Sequence, residues 1–283
     1  MTIVQFPEYR QHDMMRVEVN NAMMGLLAGA QLAVHTLQLT EGSEQLLPKI
    51  FPAVAHIGRF NITTSTARRI LIEADTHLGA MSVLYALALH EDYVKTCLDF
   101  FVRAGLASRG EIKDLGLNGS HEWIQARAGE LLPADTLEQF HVLRLMRNCL
   151  VHRGGRASQG LIEEVGRMGS DAESSWEEVV GRSPRALNLN DRVEFSHGEL
   201  IMTLAVTKRL ARELNEILQK ALPNSMWADV AIEDLVNYGP GLPASGNDQI
   251  RKAKGYARHY YGALHLSEHE IREAIEKHLA ASR

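Results

Sequence analysis

Three observations predict an all-α protein. Apolar side chains recur at spacings of three and four through long stretches, as in Leu84, Leu87, Val94, Leu98 and Phe101, and again in Leu200, Leu204, Leu210, Leu214, Ile217 and Leu218. That is the period of one helix face. Such stretches begin after Ser or Thr residues able to cap a helix and end near Gly or Pro. The most loop-like stretch, residues 153–192, holds no convincing long strand. The expected arrangement is an antiparallel helical core over 65–223, with an inserted loop region at about 153–195. An N-terminal helical extension over 1–64 and a small C-terminal helical appendage over 224–283 flank it.

The first helix is predicted from about Tyr9 to Leu39, where Met, Ala and Leu are dense, and stops at the Thr40-Glu41-Gly42-Ser43 break. Pro48, Pro52 and Gly58 make the next stretch irregular, with room for one short helix. Thr63 to Thr66 supply several caps for a helix to Leu78, with Gly79 as a stop or kink. From Ala80 the pattern resumes to about Val102 and forms the strongest helix of the chain. Residues 106–133 read as a connector with a short helix from Trp123 to Leu132, and Ala134-Asp135 introduces a helix from about Thr136 to His152 that Gly154-Gly155 ends. In 153–192 the run around Trp176 is expected to form one helical turn or two. Ser196 or His197 starts a helix to about Ala221, which Pro223 stops. Beyond it lie a Gly/Pro hinge at 238–243, a basic aromatic segment at 251–261, and a helix capped by Ser267 with Glu270 at capping-box spacing.

The chain has 283 residues and a formal net charge of −5, enough length for a substantial core and no global attraction to nucleic acid. Any RNA contact must come from a local basic patch. Cys97 and Cys149 fall in apolar helical patterns and read as reduced core residues. The N-terminus lacks a basic region followed by an apolar one, and no run of about 18 apolar residues occurs. A soluble cytoplasmic protein without a membrane partner is expected. No phosphate-binding Gly-rich loop or serine-hydrolase elbow is present. His265 and His269 have no third ligand near in sequence, so no metal and no cofactor are expected.

The stretch Arg147-Asn148-Cys149-Leu150-Val151-His152-Arg153 carries the chemistry. An arginine fork binds a phosphate through two parallel hydrogen bonds, and an imidazole moves a proton near neutral pH. On a helical wheel Leu143, Met146, Cys149 and Leu150 take one side, while Arg144, Arg147, Asn148 and His152 spread over roughly 140° of the other. This inventory points to phosphodiester chemistry. Arg147 and His152 also diverge by roughly 140°, so one regular helix does not by itself join them.

The order Arg, polar residue, three variable residues, His, placed late in a helix, resembles the signature of the HEPN superfamily of all-helical ribonucleases, over roughly residues 80–221. The resemblance implies a HEPN-like bundle and a metal-independent endoribonuclease. In that role His152 transfers protons as base or acid, Arg147 binds the scissile phosphate, and Asn148 orients the phosphate or the imidazole. Attack by the 2′-hydroxyl would leave a 2′,3′-cyclic phosphate and a 5′-hydroxyl. The resemblance also implies a homodimer whose two motif helices face each other in a composite cleft, an antitoxin or other regulatory protein as a possible partner, and service as a toxin or antiviral effector. Arg144, Arg153 and Glu91 would support the site. Glu91 falls in the apolar arc of its helix, where it either reaches Arg147 or Arg144 or pairs with Lys95 four residues on.

In the C-terminal segment Arg251, Lys252, Lys254, Tyr256 and Arg258 mix cations with rings, a combination suited to single-stranded RNA. The other reading is a solvated helix with half-buried tyrosines. The rival to a nuclease is a noncatalytic HEPN-like module that binds RNA, a nucleotide or a protein partner. A scaffold or inhibitor subunit is the third possibility.

Overall fold

The structure, a computed structural model, describes residues 3–42, 45–59, 61–244 and 246–281. Met1, Thr2 and Ser43 of the predicted N-terminal features lie outside the described residues. Among the described residues the chain forms thirteen α-helices, three short 3-10 turns and no strand, so it is all-α. The helices are α1 (Pro7–Gln38), α2 (Leu47–Ile50), α3 (Thr64–Ile72), α4 (Ala74–Arg103), α5 (Arg109–Ile112), α6 (Leu117–Ala128) and α7 (Ala134–His152). They continue with α8 (Gln159–Arg167), α9 (Ser170–Val180), α10 (His197–Ala221), α11 (Asn224–Asn237), α12 (Gly246–Tyr260) and α13 (Glu268–Ala281). None of the described helices is by itself long and apolar enough to cross a membrane.

Two compact units divide the chain, and they cut across the three segments expected from sequence. Unit 1 comprises 1–16, 87–141 and 205–283; unit 2 comprises 17–86 and 142–204. The divisions fall inside α1, α4, α7 and α10.

Unit 1 uses both ends of the chain. Val4 and Phe6 are fully buried, and the Phe6 ring meets Tyr93, Phe100 and Trp227 at centroid distances of 6.2, 5.0 and 5.7 Å. Gln5 N–H donates to the Tyr260 carbonyl at 2.7 Å, and Asn215 Nδ2 to the Val4 carbonyl at 2.8 Å. The expected appendage is core here. Ala228, Ile232 and Leu235 of α11 pack with Ala253 and Ala257 of α12 and with Ile271, Ala274 and Ile275 of α13. Ser267 caps α13 as expected, with its N–H donating to Glu270 Oε2 at 2.7 Å and Glu270 N–H donating back to Ser267 Oγ at 3.2 Å. The short helix of the connector ends earlier than predicted, because Gly129 adopts φ +70° and closes α6 at Ala128.

Asp234 ties these parts together. Its side chain is 0 % exposed, accepts both Arg10 Nη1 and Nη2 at 2.9 and 2.7 Å, and takes the Tyr261 hydroxyl at 2.7 Å. The Arg10 guanidinium also lies 4.5 Å from the Tyr260 ring centroid.

Three histidines, His12, His90 and His121, are buried in unit 1. His90 and His121 approach Nε2 to Nε2 at 3.1 Å, a contact in which one ring donates and the other accepts, so at least one stays neutral. Burial pulls His12 down to about 4, with Arg16 adding to it and Asp13 and Asp92 opposing. Burial, then His121 and His12, pull His90 well below the usual range. An unfolded histidine protonates near pH 6.5, so between that value and the folded one the unfolded chain binds more protons and stability falls as pH drops. For His12 alone the loss reaches about 3 kcal/mol near pH 4. Urea denaturation at about pH 7 and about pH 4.5 should show the fall; equal stability at the two would show that these rings do not stay neutral in the folded chain.

In unit 2 the break expected at Gly79 occurs at Glu73 instead, where α3 and α4 bend by 56°. Gly79 lies within α4, and a Cβ there would sit 2.8 Å from the Phe195 carbonyl oxygen. The glycine permits a close backbone approach and does not stop the helix. The expected loop at 153–195 is an ordered helical insertion. Ser158 Oγ caps α8 by accepting Leu161 N–H at 3.1 Å, and Gly181 at φ +80° ends α9. Leu161, Val165, Met168, Ala172 and Trp176 are buried. The two ends of the insertion are pinned to each other: Val193 N–H donates to the Gly155 carbonyl at 2.8 Å and Ala157 N–H to the Asp191 carbonyl at 2.9 Å.

Candidate active site

The last three turns of α7 belong to unit 2 and divide as the wheel predicts. Of the predicted apolar side Leu143, Met146 and Cys149 are buried and Leu150 is half-buried; Val142 is buried with them, Arg144, Arg147 and Asn148 are half-buried, and His152 is exposed. The helix is unbroken to His152, and the chain then turns through Gly154 and Gly155 at φ +59° and +78°. Arg153 and Gly155 N–H both donate to the Cys149 carbonyl, each at 3.0 Å, which closes the helix end. Both cysteines are free thiols in the core, and burial pushes the Cys97 thiol up.

Arg147 Nη1 donates to Asn148 Oδ1 at 3.1 Å, so the amide steadies the guanidinium. The Nε atoms of Arg144 and Arg147 are buried without a hydrogen-bond partner. Burial pulls the Arg144 guanidinium down, with Glu164 opposing. Asn148 and His152 are four apart and share a helix face, with Arg144 next to them. Arg147 and His152 stand roughly 140° apart around the axis and roughly 7.5 Å apart along it, since no irregularity intervenes. One copy of α7 therefore does not bring the two together.

Electrostatics sets this end of the helix apart from a chain of net charge −5. Between Val142 and Ile162 the sequence holds four arginines, at 144, 147, 153 and 156, and no Asp or Glu. Among the described residues none of the four makes an ion pair; Arg156 Nη1 instead donates to the Asn190 carbonyl at 3.2 Å. The motif alone does not point to Arg156, although the acid-free interval that signals it can be counted in the sequence.

Glu91 follows the second of its two readings. It pairs with Lys95 at 2.9 Å in unit 1, with a side chain 38 % exposed. In the C-terminal segment Arg251 pairs with Asp248 at 2.9 Å, Lys254 with Glu268 at 2.8 Å, and Lys252 Nζ donates to the Pro240 carbonyl at 3.0 Å. Tyr256 packs against Tyr260 with ring centroids 4.7 Å apart and planes tilted by 49°, and Arg258 is exposed. Three of these four cations thus have partners within unit 1. Among the described residues no group of three His, Cys, Asp or Glu side chains is placed to hold a metal ion.

None of the protein-family models, curated proteins or solved structures compared with the chain matches it.

Proposed function

We propose that the protein is a HEPN-type endoribonuclease that cleaves RNA through the 2′-hydroxyl. The observation that carries this reading is the exposed end of α7, where Arg147, Asn148 and His152 stand in an interval of cations without a carboxylate. A phosphate neutralises such an interval without first displacing an internal salt bridge. His152 takes the 2′-hydroxyl proton, the new oxyanion attacks the adjacent phosphorus, and Arg147 meets the charge that grows on the phosphorane oxygens. The 5′-oxygen leaves and takes up a proton, giving a 2′,3′-cyclic phosphate and a 5′-hydroxyl.

The divergence of Arg147 from His152 on one helix makes a homodimer part of the proposal, since a twofold axis sets the same residues of both copies around one phosphate. One imidazole then serves as base and the other as acid. Arg144, Arg153 and Arg156 hold the strand to either side of the reacting phosphate. The same cations would serve a noncatalytic RNA-binding module, which is the alternative if the imidazole proves idle. An antitoxin-like or other regulatory protein would act by covering this end of α7.

Incubation of the purified chain with total RNA and tRNA in EDTA, followed by determination of product ends, tests the reaction. Cleavage with cyclic-phosphate and 5′-hydroxyl ends is expected. Loss of cleavage in EDTA that magnesium restores would refute the mechanism. Mass in solution should correspond to two chains, and a strictly monomeric protein that still cleaves would remove the composite cleft.

A further inference from the structure

We propose that the cavity within the 153–195 insertion binds a free aliphatic α-amino acid of about leucine size. The cavity belongs wholly to unit 2 and has a volume of about 120 Å³. Val142 and Met146 of α7, Leu161 and Val165 of α8, Trp176 of α9 and Val193 of the returning segment form its walls. All six are buried and apolar. An apolar cavity of roughly 150 Å³ stays dry and takes up benzene, so a slightly smaller one suits a branched four-carbon chain.

The charged groups around the cavity fall into two pairs with different fates. Arg182 and Glu199 satisfy each other: Nε and Nη2 of the arginine donate to Glu199 Oε1 at 3.0 and 2.5 Å. The second carboxylate oxygen takes the Ser196 N–H and hydroxyl at 2.7 and 2.5 Å, which fixes the start of α10. Arg192 and Glu194 flank Val193 on one edge of the cavity, and neither has an ion pair among the described residues. The hydrogen bond from Val193 to Gly155 holds that edge in place. One unpaired cation and one unpaired anion beside an apolar hole match a zwitterionic head on an apolar chain. The ligand carboxylate meets the Arg192 guanidinium, its ammonium meets the Glu194 carboxylate, and the side chain enters between Leu161 and Trp176. This inference stands apart from the nuclease reading, because nothing in it uses Arg147 or His152.

Calorimetric titration of the full chain with L-leucine, isoamylamine and isocaproate presents one aliphatic chain with both charges, the ammonium alone and the carboxylate alone. Leucine is expected to bind saturably and at least about tenfold tighter than either single-charge compound, the size of one charge-assisted contact. Arg192→Gln and Glu194→Gln, both at exposed positions, should each weaken leucine about tenfold with an unchanged circular dichroism spectrum. Three results would overturn the proposal: no saturable binding up to about 10 mM leucine, equal binding of all three compounds, or unchanged leucine affinity in both variants.

Discussion

RNA cleavage is expected to fall at least about 100-fold in His152→Ala and again in Arg147→Ala, with the fold unchanged in both. His152 is the exposed last residue of α7, so its removal takes nothing from the core. Any loss of rate would then belong to proton transfer. Arg147 is half-buried and its guanidinium is steadied by Asn148, so Arg147→Lys is the sharper variant: it keeps the charge and loses the planar fork. If the fork grips the scissile phosphate, lysine should restore only a small part of the activity. Single-turnover cleavage beside circular dichroism separates these outcomes. Full rates in a folded His152→Ala protein would sink the nuclease reading and leave a module that binds RNA through its arginines.

The second large effect is on stability. Asp234→Ala leaves the Arg10 guanidinium and the Tyr261 hydroxyl without their shared acceptor. Burial, followed by Asp234 itself, holds the Tyr261 phenol far above its ordinary range, so in the native chain it remains a donor. Breaking one partner out of a buried ionic cluster costs about 3–5 kcal/mol, a large part of the stability of a typical domain. Urea denaturation should show an unfolding free energy lower by that amount, and a loss below about 1 kcal/mol would mean that water replaces the carboxylate freely. Deleting the chain after Tyr238 is expected to be worse, because it strips Ala228, Ile232 and Leu235 of the helices that cover them. The segment whose cations and rings suit single-stranded RNA is in this respect a wall of the core.

What could be read from the sequence depended on how local its cause was. The ends of α1, α7, α10 and α13 are marked by residues within a turn of them, such as Gly154-Gly155 after His152 and Ser267 before Glu270. The division of α7 into an apolar and a cationic side follows from spacing alone. Around Trp176 the sequence indicates one helical turn or two where α9 runs for 11 residues, and α8 escapes because it is short and buries only Leu161 and Val165. Gly79 misled because a helical glycine that admits a neighbouring backbone looks like one that ends a helix. Asp234 could not be foreseen as buried, since its cationic partner is 224 residues away in the chain.

That separation also sets an order of events during synthesis. The N-terminal strand of contacts made by Gln5, Phe6 and Arg10 finds its partners at Trp227, Asp234 and Tyr260, all of which leave the ribosome more than two hundred residues later. At about 5–20 residues per second, Arg10 waits roughly 10–45 s before Asp234 exists. Unit 1 cannot close as its first residues emerge, whereas the sequence of unit 2 is complete by Leu204. Until then water solvates the Arg10 guanidinium and the Phe6 ring lacks Trp227, so unit 1 closes only after the whole sequence of unit 2 has been made.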